Sequence, residues 1–154
     1  MRRYYEDIEV GDTDEYGGRE VTKEEMVEFA EKYDPQPFHV DEEAAKETFF
    51  GGLVASGWFT ASVVMRMTVE YRTGEWASTG ALGVGDLRWH APVHPGDTLS
   101  VRTEVIEKEP RDEKTGVVRH EKEVLNQDGD VVMSMEPLVL FERRGTGRKE
   151  EEDD

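Results

Sequence analysis

A long uncharged segment in the middle of the chain constrains the fold more than any other feature. Between Leu53 and Val69 the single charged side chain is Arg66, and none lies between Leu53 and Met65. No turn signal interrupts the segment after Gly57, which favours one helix over a pair of buried strands. A helix that is apolar on all sides must be covered, so we expect this one to be buried. It is shorter than the ~20 apolar residues that a membrane-spanning helix needs.

The sequence after this helix has the pattern of β-strands. Short segments with alternating apolar residues, bounded by turn residues, lie at 80–89, 98–107, 116–126 and 131–141. Gly83 and Gly85 in the first segment indicate a bulge or a close backbone approach. Pro137 in the last segment indicates an edge strand or a bulge, because proline cannot donate a ladder hydrogen bond.

The residues before the central helix predict shorter elements. Thr22 and Glu25 have the spacing of a capping box, followed by apolar residues at helical spacing as far as about Tyr33. Residues 4–10 have the pattern of a short strand or extended segment. Residues 13–21 are polar and contain two glycines, which indicates a turn or an edge hairpin.

A proline-stiffened loop follows this first helix. Pro35 and Pro37 restrict their own backbone and that of the residue before each, so we expect no regular helix within the loop. The loop holds Asp34 and His39 five positions apart, an arrangement better suited to chemistry than to packing. An aspartate at its end caps a short helix over residues 42–47.

Helices followed by a run of antiparallel strands form an α+β pattern. A buried helix with about five strands indicates a sheet wrapped around that helix, which is the hot-dog architecture. We expect a single domain over residues 1–142. The charged residues 143–154 are expected to form a disordered tail.

The charge of the chain limits its partners. Asp and Glu number 36 against 19 Lys and Arg, which gives a formal net charge of −17, and only seven of the bases are lysine. Such a surface repels nucleic acid and anionic membranes, so we expect neither as a partner. The excess acid is spread along the chain and not confined to residues 150–154. This favours a salt-rich cytoplasm, where the Debye length is ~3 Å at 1 M salt, over an ordinary protein with an acidic tail.

Missing residue types exclude several kinds of site. The chain has no cysteine, which excludes disulfides, thiolate nucleophiles and thiolate metal sites. Its four histidines do not have metal-ligand spacing, so we expect no metal. We interpret His90 and His94 as structural and His120 as solvated on a strand. The N-terminus lacks an apolar region, so no signal peptide is evident and a cytoplasmic location is expected.

Two stretches resemble the signature of the MaoC-like dehydratases, which are similar to the (R)-specific enoyl-CoA hydratases. The first runs from Phe29 to Asp41 and contains an aspartate and a histidine with D-x-x-P-x-H spacing. The second runs from Phe50 to Gly57 and ends in a glycine at the start of the central helix. Residues 89–99 are similar to the strand–turn–strand that follows this helix in the family. The resemblance covers roughly residues 4–141.

The resemblance implies both a fold and an activity. It implies a hot-dog domain that acts as an acyl-CoA hydratase/dehydratase, with a CoA thioester as substrate and no cofactor. Asp34 and His39 match the catalytic pair. Gly57 matches the glycine whose backbone N–H helps to hold the thioester carbonyl oxygen.

This chain departs from the family pattern at three positions. Tyr33 replaces a glycine before the catalytic aspartate, Gln36 replaces an asparagine before the proline, and Ser56 replaces a histidine before the helix-start glycine. We expect Gln36 and Ser56 to support substrate binding at the site and not to act as catalysts.

Hydration of a double bond conjugated to a thioester needs a base, an acid and an oxyanion site. The imidazole of His39 can take a proton from water at neutral pH. Asp34 could hold the same water, or donate a proton if burial raises its pKa. The free N–H groups at the Gly57 helix start suit a developing oxyanion, and a glycine there permits close approach.

Two other functions remain open for the same residues. A hot-dog thioesterase would use the same oxyanion site with an acid-activated water, and a non-catalytic subunit would only bind the acyl thioester. The Asp34–His39 pair favours the hydratase over both. Because a single hot-dog unit leaves a sheet edge exposed, we also expect a homodimer joined edge to edge with the acyl pocket near the interface, or an assembly of such dimers.

Overall fold

One antiparallel sheet of five strands wraps one side of a single long helix. A computed structural model describes residues 2–145. The helices are α1 (Lys23–Tyr33), α2 (Pro37–Val40), α3 (Glu42–Lys46) and α4 (Gly57–Arg72). The strands are β1 (Thr13–Glu20), β2 (Ser78–Trp89), β3 (Thr98–Pro110), β4 (Thr115–Leu125) and β5 (Val131–Glu142). The strand order is β1-β3-β4-β5-β2, so β1 and β2 form the two edges. This is the α+β hot-dog arrangement that the sequence predicts.

The central helix α4 begins at Gly57, the glycine that the sequence places at its start, and is buried on one side only. Residues 53–56 are not helical, and Ser56 caps the helix by accepting a hydrogen bond from the N–H of Trp58 at 3.2 Å. The side chains of Trp58, Met65 and Val69 are all more than half exposed. The prediction of burial on all sides is therefore wrong for the single chain, because the sheet covers one face of α4. None of the helices within residues 2–145 is long and apolar enough to cross a membrane.

Two N-terminal predictions are also corrected. Residues 5–7 form a single turn of 3-10 helix and not a strand, because the Asp7 carboxylate accepts a hydrogen bond from the Tyr4 N–H at 2.9 Å and closes the turn. The polar segment interpreted as a turn or hairpin is β1, an edge strand. It pairs with β3 and has a register shift between Gly17 and Arg19.

The helix caps are as predicted, whereas the loop between them is not. Thr22 accepts from the Glu25 N–H in a capping box, and Asp41 caps α3. Between these helices, Pro37 starts the one-turn helix α2, which contains His39. Proline at the first helical position loses no intrahelical hydrogen bond, so it begins this turn instead of preventing it.

Of the predictions made for the sheet, the one at the glycines of β2 is confirmed and the one at the proline of β5 is not. Register shifts in the pairing of β2 with β5 lie on either side of Gly83 and Gly85, which confirms the predicted irregularity. The prediction of an edge strand at Pro137 is wrong, since β5 lies between β4 and β2. The register of β5 with β4 passes from Leu138 to Met135 without a pair at Pro137. A missing ladder bond is thus tolerated inside the sheet.

A polar layer separates two apolar clusters in the core. One cluster packs the first half of α4 against residues such as Leu99 and Val124, and the other contains Val118 and Phe141. On β4 the inward face runs from Val118 through His120 and Lys122 to Val124. His120 is 3% exposed, so the prediction that it is solvated is wrong. Burial, with Arg72 and Lys122 nearby, lowers the pKa of His120 to about 4, and the ring is neutral at pH 7.

The first two residues of the predicted tail make defined contacts. The N–H of Arg143 donates to the carbonyl of Lys114, and that of Arg144 donates to the Glu6 carboxylate, both at 2.8 Å. Residues 146–154 lie outside the described residues, so their predicted disorder stays a prediction.

Candidate active site

A cavity of about 440 Å³ opens at the N-terminal end of α4 and contains three of the predicted site residues. Asp34, His39 and Gly57 all line it. Most of the remaining lining is apolar or aromatic: Phe38, Phe49, Phe50, Val54, Ala55, Trp58, Trp89, Ala91, Pro92 and Val93. A larger groove of about 930 Å³ lies beside α1 and α3. Half of its lining residues are acidic and it includes none of the three, so the smaller cavity is the candidate site.

Helix ends bring Asp34 and His39 together. Asp34 is the residue at which α1 ends, and its N–H donates to the Ala30 carbonyl at 2.8 Å. His39 lies on α2, the turn that Pro37 starts. The Nε2 atom of His39 lies 3.4 Å from Oδ2 of Asp34, and the His39 side chain is 8% exposed. The two residues that the sequence singles out therefore face each other across the short loop.

A backbone contact fixes the tautomer of His39. Its Nδ1 atom lies 2.8 Å from the carbonyl oxygen of Val54, in the segment before α4. A carbonyl oxygen can only accept, so Nδ1 carries the hydrogen. In the neutral ring Nε2 is then the basic nitrogen, and it is directed at Asp34. Nε2 is therefore placed to exchange a proton beside the carboxylate.

Three neighbours keep Asp34 ionised. Burial alone would raise its pKa, but hydrogen bonds from Gln36 and Ser56 and the nearby His39 ring outweigh burial and lower the pKa. The Gln36 amide donates to Oδ1 of Asp34 at 2.7 Å, and Ser56 is fully buried. The possibility that burial turns Asp34 into a proton donor is therefore contradicted. Gln36 and Ser56, predicted to support substrate binding, both contact this carboxylate.

Gly57 is the first residue of α4, and its backbone N–H has no acceptor among residues 2–145. N–H groups in the first turn of a helix lack intrahelical partners, so this one can receive a ligand oxygen. The indole of Trp89 covers the other side of Gly57, and its Nε1 donates to the Gly57 carbonyl at 3.1 Å. A Cβ on residue 57 would overlap the Trp89 ring. A glycine is therefore required at position 57 because the Trp89 ring packs against it, and not only because a ligand must come close.

The sequence did not identify most of the aromatic wall of the cavity. Trp58 and Trp89 meet edge to face with ring centroids 5.0 Å apart. Phe50 packs against Phe38, and its neighbour Phe49 is 96% exposed. No role in the site is predicted from the sequence for Phe49 and Phe50. Their exposure beside a turn was the signal that they could face a ligand.

Comparison with known proteins gives a consistent family. The family model described as "MaoC like domain" matches residues 9–127. A solved MaoC-like dehydratase from Rhodospirillum rubrum is 37% identical, with a TM-score of 0.82, covering 92% of this chain and 98% of that one. A solved R-hydratase from Pseudomonas aeruginosa, unliganded, is 28% identical with a TM-score of 0.72, covering 92% and 86%. A 3-hydroxybutyryl-CoA dehydratase of Methylorubrum extorquens is 36% identical over 109 residues, covering 70% of this chain and 66% of that protein.

Proposed function

The chain belongs to the MaoC-like domain family, and from this premise we propose that it hydrates 2-enoyl-CoA thioesters reversibly. The observation that carries the proposal is the Asp34–His39 pair beside the free N–H of Gly57, in one cavity. The names of two relatives, a 3-hydroxybutyryl-CoA dehydratase and an R-hydratase, agree with this chemistry.

The first step is activation of water between Asp34 and His39. A water molecule between the two side chains donates one hydrogen bond to Nε2 of His39 and the other to the Asp34 carboxylate. As the water oxygen attacks the β-carbon of the enoyl group, Nε2 takes its proton. Asp34 remains ionised, because its pKa is lowered, and it stabilises the imidazolium that forms.

The second step returns the proton to substrate. Attack at the β-carbon moves negative charge through the α-carbon to the thioester oxygen, where the Gly57 N–H and the start of α4 stabilise it. The His39 imidazolium then donates its Nε2 proton to the α-carbon. One water is consumed, the double bond becomes a single bond, and His39 is neutral again. Dehydration follows the same steps in reverse.

The aromatic wall suits the apolar part of the substrate. Trp58, Trp89 and Phe50 surround the cavity next to the Gly57 N–H. An enoyl chain against these rings would be removed from water while its carbonyl reaches the helix start. The enoyl chain cannot lie on the side of Gly57 that the Trp89 ring covers.

Loss of the enoyl absorbance and release of free thiol distinguish the candidate functions. Enoyl-CoA substrates of several chain lengths are incubated with the protein at low and at high salt, and enoyl absorbance and free thiol are followed together. A hydratase lowers the enoyl absorbance without releasing thiol. Thiol release would replace the proposal with a thioesterase, and binding without either change would indicate a non-catalytic subunit.

We also propose that the functional unit is a homodimer joined through β2. The other edge strand, β1, is polar, short and interrupted by a bulge, which are features that protect an edge from pairing. The pairing of β2 with β5 also has register shifts, but β2 is longer, with 12 residues, and exposes Leu82 and Val84. Trp89, at the end of β2, lines the cavity, which would lie close to such an interface.

A further inference from the structure

A group of basic side chains lies inside the fold at the far end of α4 from Gly57. His120 and Lys122 point inward from β4 and are 3% and 5% exposed. Above them are Thr68 and Arg72 of α4. Thr68 is 11 residues beyond Gly57, which is about 16 Å along a helix. We call these four residues, together with Tyr16 of β1, the basic layer.

The Thr68 hydroxyl is saturated by its neighbours. It donates to the Val64 carbonyl at 2.8 Å, so it can only accept from other groups. It lies 2.8 Å from the Tyr16 hydroxyl and 3.3 Å from Nζ of Lys122, which donate to it. Both of its acceptor positions are then occupied. Thr68 therefore satisfies one of the three N–H donors of Lys122 and no other cation.

The remaining donors of the basic layer have no acceptor within residues 2–145. Lys122 has no hydrogen bond there other than that to Thr68. Both ring nitrogens of His120 are buried without a partner. The guanidinium of Arg72, which is half-buried, lies over the rings of Trp76 and Phe141, 4.7 and 6.0 Å from their centroids, and donates no hydrogen bond within residues 2–145. Unpaired buried polar atoms such as those of His120 destabilise a fold unless something occupies them.

The charges around the basic layer do not balance. Burial, followed by the effect of Arg72, lowers the pKa of Lys122 to about 8, so the ammonium is still mostly charged at pH 7. Arg3, from the N-terminal segment, adds a positive charge that is itself paired with Asp12 at 3.2 Å. Asp14 of β1 acts on Arg72 with the opposite charge, and its carboxylate accepts a hydrogen bond from the Tyr71 hydroxyl at 2.6 Å. Within residues 2–145, neither Arg72 nor Lys122 forms a salt bridge.

We infer that the basic layer binds one small monovalent anion, for which chloride is the probe, between Lys122, His120 and Arg72. An anion accepts from all three side chains and offsets part of their charge, whereas a water molecule accepts two hydrogen bonds and brings no charge. The enclosure of His120 and Lys122 limits the occupant to a small ion. A surface cavity of about 360 Å³ between β1 and α4 is lined by Tyr16 of the basic layer, together with Met67 and Tyr71.

This site would give the chain two separable responses to salt. The surface, with a net charge of −17, responds to the concentration of cations that screen it. The basic layer responds to the kind of anion. Holding potassium constant and exchanging the anion isolates the second response, and anion binding then stabilises the folded state by mass action.

The test replaces potassium gluconate with potassium chloride at constant potassium. The wild-type protein is compared with Lys122→Met, which removes the central donor, and with Lys114→Met, which removes an exposed lysine from the turn between β3 and β4. We expect a saturable rise in Tm and a broadened ³⁵Cl NMR line for the wild type and for Lys114→Met. Lys122→Met should show neither. An equal response in all three proteins, or none in the wild type, overturns the inference.

A second measurement does not depend on the variant being folded. Crystals of the wild-type protein grown in bromide should give an anomalous peak within hydrogen-bonding distance of Nζ of Lys122. Bromide absent from the basic layer, with water in its place, contradicts the inference directly. Neither experiment uses acyl-CoA, so the result is independent of the proposed hydratase activity.

Discussion

The Asp34–His39 pair makes a testable prediction at the scale of single residues. Asp34→Asn and His39→Gln should each lower kcat by at least ~10²-fold, since each removes a group that handles the proton of the attacking water. Both replacements are close in shape, and Tm should show that the variants fold. Turnover close to that of the wild type in either folded variant would show that the pair is not the acid–base machinery.

Gln36 makes a separate prediction about pH. Its amide donates to Asp34 at 2.7 Å and helps to lower the pKa of that carboxyl. In Gln36→Ala this pKa should rise, so Asp34 becomes protonated, and inactive, at a higher pH than in the wild type. Because the base His39 must also be unprotonated, Asp34 contributes only the low-pH part of the acid limb of the kcat/KM profile, and this part should then move to higher pH while the plateau changes little.

Lys23→Ala serves as a matched control for the Gln36 variant. Lys23 pairs with Glu42 at 2.8 Å, away from the cavity, and its loss should leave the acid limb in place. An unmoved limb in Gln36→Ala would mean that Asp34 does not set it. The same carboxyl also affects folding. Its lowered pKa contributes stability that is present above the unfolded-state pKa and is lost as the pH falls through the folded-state pKa.

At the scale of elements, the sequence predicts the helix caps correctly but does not predict which face of a helix or strand is covered. The caps at Thr22 and Asp41 depend on side chains within three residues, which is why the sequence predicts them. Hydropathy alone could not show that the sheet covers only one face of α4. The inward position of His120 follows from the register of β4, and a polar residue on a strand is otherwise assigned to solvent. The site residues Asp34, His39 and Gly57 lie in motifs, whereas Trp89 reaches the cavity from a distant strand.

The contact between α4 and β2 makes the prediction at this scale. A methyl group at residue 57 would overlap the Trp89 indole, so Gly57→Ala must displace that ring. Overpacking of this kind costs about 1–3 kcal/mol in the free energy of unfolding. Trp89→Leu in the same chain should remove most of the cost, because the smaller side chain leaves room for the methyl group. Denaturant midpoints of the two single variants and the double variant measure this coupling.

Turnover in the same three proteins tests the role of the Gly57 N–H. Alanine keeps that N–H, so the double variant should regain turnover per folded molecule together with stability. If the losses in stability simply add, Trp89 is not what restricts residue 57. If stability returns and turnover stays low, the glycine acts through something other than its N–H and the fit of Trp89.

For the whole molecule, the exposed apolar surface predicts how two copies meet. Trp58, Met65 and Val69 on α4 and Leu82 and Val84 on β2 are each at least half exposed, which leaves one side of the fold uncovered. Pairing of β2 with the β2 of a second copy would continue the sheet across the two-fold axis. It would also bury the exposed faces of the two α4 helices in the dimer. The double substitution Leu82→Lys, Val84→Lys places like charges next to each other across the two-fold axis. It should convert the dimer to a monomer, as measured by light scattering at high salt, where surface repulsion is screened.

The same lysine placed on the other edge provides the control. Glu15 lies on β1, and Glu15→Lys changes the charge of an edge strand without touching β2. That variant should remain dimeric. A wild-type mass equal to one chain, or a β2 variant that stays dimeric, would rule out this interface. Because Trp58 and Trp89 line the cavity next to β2, loss of the dimer should also raise KM for enoyl-CoA. A β2 variant that is monomeric yet keeps its KM would place the acyl pocket entirely within one chain.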